Sequence, residues 1–115
     1  MMSKSIFSKI IDREVPSDIV YETPSLIVIK DIKPIAPVHF LIIPKIPIVD
    51  MRDPRLDAQL AADLVAAVQY LASQLQSDQS FNLISNNGAA AGQVVMHMHW
   101  HFISGKNLYT SGFAL

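Results

Sequence analysis

The segment HMHWHF, residues 97–102, carries three of the chain's four histidines, at positions 97, 99 and 101. Side chains two residues apart share one face of a β-strand, so a strand here would present three imidazoles together. An imidazole gains or loses a proton near neutral pH and can attack phosphorus. The pattern therefore predicts nucleophilic or acid–base catalysis on one strand face, with the alternate residues Met98, Trp100 and Phe102 in the core.

Two other interpretations of the histidine segment are weaker. A polar strand face that uses histidine three times in five positions by chance is improbable. A metal site is conceivable because imidazole is a common metal ligand. However, a His-x-His-x-His run cannot easily direct three nitrogens at one ion, and residues 79–115 contain no Asp or Glu. We therefore expect no metal and no required cofactor.

The segment SNNGAAAGQVV, residues 85–95, precedes the last three histidines and is rich in small and amide residues. Glycines allow backbone N–H groups to approach an anion, and amide side chains such as those of Asn86 and Gln93 add donors. Glycine and asparagine alone usually indicate only a turn. Beside a histidine cluster, they favour a phosphate cradle.

The composition predicts one soluble domain. The chain has 115 residues, of which 50% are hydrophobic and 17% charged, with a net charge of −1. This balance gives no electrostatic case for nucleic acid or an anionic membrane as a partner. The absence of cysteine excludes disulfides and thiolate metal sites. Because no signal peptide or spanning segment is evident, we expect a cytoplasmic protein.

The apolar spacing predicts an α+β fold with a mostly antiparallel sheet. Residues 3–14 have helical spacing that ends before Pro16, and residues 18–23 and 25–32 read as a hairpin. Residues 38–45, 81–88 and 94–104 read as three further strands. A long helix is expected between them, with Asp53 as N-cap and Pro54 at its first position. Its apolar stripe consists of Leu56, Leu60, Leu64, Val68, Leu71 and Leu75.

Three blocks of the sequence resemble a known family. GQVVMHMHWHFI resembles the His-φ-His-φ-His-φ-φ signature of the histidine-triad (HIT) superfamily, where φ is hydrophobic. IFSKIIDREVPSDIVYE and DIKPIAPVHFLIIPK resemble segments of its Hint branch. The resemblance implies a single HIT domain over residues 1–115, with a core at 5–106 and a tail at 107–115. It also implies a five-stranded antiparallel sheet with one long helix and a short N-terminal helix, continued across a homodimer.

The same resemblance implies a nucleotide-binding hydrolase. Hint proteins bind purine nucleoside monophosphates such as AMP and cleave the P–N bond of purine nucleoside 5′-phosphoramidates. Two alternatives stay open: a dinucleoside polyphosphate hydrolase from a sister branch, and an AMP-binding interaction module with weak catalysis. The N-terminal block favours the Hint branch over the former, and the intact triad argues against a dead site. The compact length and short tail are typical of a bacterial member.

Site residues follow from the resemblance position by position. His99 would be the nucleophile that forms a nucleotidyl-histidine. His101 would contact the phosphate or the bridging atom and help to protonate the leaving amine. The backbone carbonyl of His97 would orient His99, and His39 would complete the hydrogen-bond network. The nucleotide contacts would be Asp31 with the ribose hydroxyls, Asn86 and Gln93 with the phosphate, and Phe7, Ile10, Ile29 and Ile32 with the base.

One position departs from the Hint pattern. Val94 lies where many Hint proteins have a serine or threonine that donates a hydrogen bond to the phosphate. Valine fills a similar volume without the hydroxyl. A neutral hydrogen bond contributes about 0.5–1.5 kcal/mol net, and more to a charged group. We therefore expect weaker phosphate or transition-state binding with the chemistry retained.

Overall fold

The computed structural model describes residues 4–76, 78, 80–110, 112 and 115. Two α-helices, a short 3-10 helix (Ala89–Ala91) and five strands make up an α+β fold, as predicted. No helix in these ranges is long and apolar enough to cross a membrane. The elements are α1 (Ile6–Ile11), β1 (Ile19–Glu22), β2 (Leu26–Lys30), β3 (Val38–Pro44), α2 (Ala58–Ser73), β4 (Asn82–Ile84) and β5 (Trp100–Ser104).

The strands form one antiparallel sheet in the order β1-β2-β3-β5-β4. Directly paired residues share a face, so the register shows which side chains meet. Two rows cross the face that carries α1. The first row is Ile29, Leu41, His101 and Ile84, and the second is Asp31, His39, Ile103 and Asn82.

The opposite face of the sheet packs against α2. Met98, Trp100 and Phe102 are buried there, as the alternation predicted. The predicted stripe of α2 also contacts this core, with Leu60 and Leu71 buried and the other members partly buried. A second core lies under α1 and consists of Phe7, Ile10, Ile27, Ile29, Leu41 and Ile43. The sheet therefore separates an α2 core from an α1 core.

The start of α2 corrects one prediction. The helix begins at Ala58 after the N-cap Asp57, whose carboxylate accepts a hydrogen bond from the Leu60 N–H at 2.9 Å. Asp53 instead caps a tight turn, because its side chain accepts from the Arg55 N–H at 2.9 Å. Both aspartates satisfy local backbone donors, and the sequence signal does not distinguish a turn from a helix N-terminus.

The first helix and the last strand are shorter than predicted. The helix spans Ile6–Ile11 with Ser5 as N-cap, and position 3 of the predicted helix lies outside the described residues. The last strand begins at Trp100 instead of residue 94. Before it, the Met98 N–H donates to the Ile48 carbonyl at 2.8 Å, outside the regular sheet ladder. Residues 94–99 therefore follow an irregular path and do not pair in the sheet.

Candidate active site

A cavity of about 780 Å³ opens on the α1 face of the sheet. Its floor is formed by β2, β3 and β5, and its walls by α1 and the loop before β5. Three of the four histidines line it; His97 does not. The predicted site residues along the cavity are Phe7, Ile10, Ile29, Asp31, Ile32, His39, Asn86, Val94, His99 and His101.

His99 presents a lone pair to this cavity. Its Nδ1 lies 2.8 Å from the backbone carbonyl oxygen of His97, which can only accept, so Nδ1 carries the proton. The other ring nitrogen, Nε2, has no hydrogen-bond partner within the described part of the chain. The Phe7 ring contacts the imidazole edge-on, with centroids 4.9 Å apart. These contacts fix the orientation of the ring and leave Nε2 free to act as a nucleophile.

The ring nitrogen that His101 presents to the cavity carries a proton, unlike that of His99. The backbone N–H of Ile35 donates to His39 Nδ1 at 3.2 Å, so the proton of neutral His39 lies on Nε2. That Nε2–H points at His101 Nδ1, 2.9 Å away. Because His101 Nδ1 accepts, its own proton lies on Nε2. A lone pair on His99 and an N–H on His101 therefore stand side by side, with ring centroids 5.1 Å apart.

The surroundings of His101 keep it neutral. Burial, together with the neighbouring rings of His99 and His39, lowers the pKa of His101 to about 4. The carboxylate of Asp31 opposes this shift but does not reverse it. At neutral pH, His101 is therefore an uncharged hydrogen-bond donor.

His97 is buried and turned away from the cavity, in contrast to the expectation that three histidines share one open face. Its Nε2–H donates to the Pro44 carbonyl at 2.8 Å. Its Nδ1 lies 3.0 Å from Ser5 Oγ and 3.3 Å from Ser8 Oγ, so α1 is tied to this ring. Burial lowers the pKa of His97. The residue contributes to the site through its backbone carbonyl, while its ring holds α1 against the sheet.

Asp31 lies at the edge of the cavity beside His39. Its Oδ1 accepts from the Lys33 N–H at 2.8 Å, and its Oδ2 lies 3.4 Å from His39 Nε2. The side chain is 19% exposed, so a ligand can reach it. A carboxylate held in this way suits a vicinal diol, because two acceptor oxygens match two hydroxyl donors.

Asp31, His39 and His101 also bring three potential metal-ligand atoms within 4.8 Å of one another. Metal-bound histidine normally carries its remaining proton on the other ring nitrogen. In His39, that other nitrogen is Nδ1, which accepts the Ile35 N–H. A metal ion on Nε2 would therefore break this hydrogen bond, so the cluster fits a chain of hydrogen bonds better than a metal ion.

The loop before β5 is shaped by two glycines and one amide side chain. Gly88 and Gly92 both have φ of +97°, a conformation that favours glycine. Gln93 is buried, and its Oε1 accepts from the Gly88 N–H at 2.8 Å. Its Nε2 donates to the carbonyls of Val49 and Val95. Gln93 therefore braces the loop and does not line the cavity, which differs from the phosphate contact predicted for its side chain.

Asn86 and Val94 are placed by the same loop at the cavity. The Asn86 amide has no hydrogen-bond partner among the described side chains and backbone groups, so its donors are available to a ligand. Val94 lies at the mouth and is 87% exposed. Val94 therefore offers a ligand an apolar contact and no side-chain hydrogen-bond donor.

The predicted base slot has a buried wall and an open rim. Phe7, Ile10 and Ile29 are buried, whereas Ile32 is 90% exposed. The sequence did not indicate several apolar lining residues on α1, the strands and the loops. Their signal was weak because an isoleucine or valine on a strand is usually a core residue. The residues missed are Ile6, Val15, Ile35, Leu41, Ile84, Val95 and Ile103.

Comparison with known sequences identifies the family. Residues 12–108 match the HIT domain family. The chain therefore belongs to the HIT family, which confirms the expected relationship. The predicted boundaries of the core and the tail stay predictions, and positions 111, 113 and 114 of the tail lie outside the described residues.

Bacterial relatives cover nearly the whole chain. An uncharacterized HIT-like protein of Synechococcus elongatus is 39% identical over 109 residues, which are 94% of this chain and 96% of the relative. The purine nucleoside phosphoramidase of Escherichia coli is 37% identical over 110 residues, covering 94% and 92%. A HIT family hydrolase from Clostridium thermocellum has a similar structure, with a TM-score of 0.85, 42% identity and coverage of 94% and 96%. The predicted fold and the hydrolase class are confirmed at this level.

Proposed function

We propose that this protein is a purine nucleoside 5′-phosphoramidase that uses His99 as its nucleophile. The observation that carries the proposal is the pair of unlike ring nitrogens in one cavity. His99 Nε2 offers a lone pair, and His101 Nε2–H offers a donor beside it. A phosphorus atom needs both, because attack requires a lone pair and the phosphoryl oxygens gain charge as it proceeds. The 37% identity to a purine nucleoside phosphoramidase supports the substrate class.

The substrate spans the cavity from its apolar wall to the loop before β5. The purine packs between Phe7, Ile10 and Ile29, with Ile32 at the rim. The ribose hydroxyls donate to Asp31. The phosphate then reaches His99 and His101, where the amide of Asn86 supplies a further donor.

Two displacements at phosphorus complete the reaction. In the first, the lone pair of His99 Nε2 forms a bond to phosphorus, and the P–N electron pair leaves with the amine nitrogen, which takes up a proton. The proton on Nδ1 stays against the His97 carbonyl, so the nucleotidyl-imidazole is cationic and is a good leaving group. In the second, water forms a new P–O bond and releases a proton, and the electrons of the His99–phosphorus bond return to Nε2. The products are the amine and the nucleoside monophosphate.

We also propose that the protein is a cytoplasmic homodimer that needs no cofactor. Strand β4 is a three-residue edge strand whose Leu83 is 41% exposed. On α2, Val65 is 54% exposed although it belongs to a helix that covers the sheet. A second copy that covers α2 and the edge of the sheet would bury both.

The proposed reaction is tested with an adenosine 5′-phosphoramidate whose amine becomes fluorescent on release. We expect wild-type protein to release amine and AMP in equal amounts, at the same rate with and without EDTA. Loss of turnover on chelation, restored by a metal ion, would contradict the histidine mechanism. AMP binding without any amine release would instead favour an interaction module.

Val94 lacks the hydroxyl group that a serine would offer to the phosphate, and this difference gives a second prediction. We expect Val94→Ser to raise kcat/KM by about two- to tenfold, because one hydrogen bond to the phosphate is worth about 0.5–1.5 kcal/mol. Val94→Ala is the matched control, since it shortens the side chain without adding a donor. Equal kcat/KM values for the serine and alanine variants would contradict the proposed role of this position.

A further inference from the structure

We infer that His101 donates a hydrogen bond from Nε2 throughout the reaction and never transfers that proton, so the leaving amine takes its proton from solvent. This inference rests on the proposed phosphoramidase function and refines it. The resemblance had implied that His101 helps to protonate the leaving amine. The hydrogen-bond chain behind His101 argues against such a transfer.

The chain begins at a backbone group that cannot change its role. The Ile35 N–H donates to His39 Nδ1 at 3.2 Å, and an amide N–H is a donor only. His39 is 6% exposed, and its Nε2–H lies between His101 Nδ1 at 2.9 Å and Asp31 Oδ2 at 3.4 Å. The proton positions of both rings are therefore set from the backbone outward to the cavity.

Proton transfer from His101 would fail in either protonation state. If neutral His101 gave up the Nε2 proton, it would become an imidazolate, because His39 has no second proton to pass on. If His101 were first protonated on Nδ1, that N–H would face the His39 Nε2–H at 2.9 Å. His39 could relieve this contact only by moving its proton to Nδ1, where the Ile35 N–H already points.

The groups around His101 also disfavour a positive charge on its ring. His99 lies two residues before it, just ahead of β5, His39 faces it from β3, and Asp31 follows β2. Lys30 and Lys33 also line the cavity, and Asp31 is the one carboxylate among the described lining residues. Burial disfavours a cation, and a single partly exposed carboxylate offsets this only in part. The lowered pKa of His101 agrees with this arrangement.

The reaction then balances without a protein acid. The bridging nitrogen takes a proton from solvent before cleavage and becomes a P–NH₂R⁺ group. His99 Nε2 attacks phosphorus, and the P–N electron pair leaves with a neutral amine. A protonated bridging nitrogen has no lone pair, so the His101 Nε2–H binds a non-bridging phosphoryl oxygen. In the second step, the attacking water releases its proton to solvent.

Two variants separate donation from proton transfer. Glutamine places an amide N–H near the position of the histidine Nε2 but does not titrate. With an alkylamine phosphoramidate, we expect His101→Gln to be about three- to tenfold slower than wild type and His101→Ala about a hundredfold slower, because only alanine removes the donor. A glutamine variant as slow as the alanine variant would overturn the inference. AMP affinity is measured for each variant, so that a loss of nucleotide binding is not mistaken for a loss of turnover.

A second measurement does not depend on turnover. Nitrogen-15 NMR of the imidazoles in the wild-type complex with AMP reports which ring nitrogens carry protons. We expect His101 to hold one proton, on Nε2, from about pH 5.5 to 8, well above its lowered pKa. Doubly protonated His101 in this range would overturn the inference. A wild-type protein without turnover would instead contradict the proposed function and leave this spectroscopic result to decide the state of His101.

Discussion

His99→Ala is expected to lower turnover of an adenosine 5′-phosphoramidate by about a thousandfold or more, as removal of a covalent nucleophile usually does. The ring of His99 brings to the cavity a lone pair that has no hydrogen-bond partner among the described residues. The other histidine nitrogens near phosphorus cannot replace it. His101 directs an N–H into the cavity, and both nitrogens of His97 are hydrogen-bonded away from it.

The alanine variant should keep most of its AMP affinity, because the base wall and Asp31 are unchanged. Calorimetric titration with AMP measures this, and urea unfolding shows whether the fold is intact. Rapid quenching of the wild-type reaction should also trap labelled nucleotide on the protein, and the alanine variant should trap none. Near-normal amine release by His99→Ala, or nucleotide trapped on another residue, would refute His99 as the nucleophile.

Phe102→Ala is expected to lower the free energy of unfolding by about 3–5 kcal/mol, the usual range for a fully buried phenylalanine. Phe102 has no exposed surface and stacks on Phe81 and Phe40, with centroids 4.6 and 6.2 Å apart. It lies on β5 directly after His101, on the face that packs against α2. Its loss therefore leaves a cavity beneath the strand that carries the site.

Urea denaturation of Phe102→Ala and Phe102→Leu measures this effect with a matched control. Leucine keeps much of the buried apolar volume, so its cost should be about 1–2 kcal/mol. The alanine variant should also have a lower turnover when it is folded, because His101 and its neighbours depend on the position of β5. An alanine variant within about 1 kcal/mol of wild type would show that the core relaxes around the lost ring.

Local chemical patterns account for what the sequence predicted well. Alternation along residues 97–102 separated the histidines from Met98, Trp100 and Phe102, because successive strand residues point to opposite faces. The leucine spacing predicted α2 and its packing face for a similar reason. Boundaries were less accurate. Asp53 and Asp57 are equally good caps, and only the path of the chain chooses between a turn and a helix start.

The resemblance predicted the residues of the site and the orienting role of the His97 carbonyl, but not the hydrogen-bond partners of Gln93. Gln93 looked like a phosphate ligand, since an amide in a glycine-rich loop suits an anion. In the folded chain, it satisfies backbone groups of Gly88, Val49 and Val95 instead. One of those groups is 44 residues away, so no local pattern could have indicated the contact.

The sequence by itself determined that the imidazoles lie on the side opposite an apolar core, because this separation follows from the alternation of side chains. Only the tertiary structure decided which nitrogen of each ring carries the proton. That choice depends on the His97 carbonyl for His99, and on Ile35 acting through His39 for His101. The protonation of an imidazole is set by its hydrogen-bond partner, and for His101 that partner is 62 residues distant in the chain.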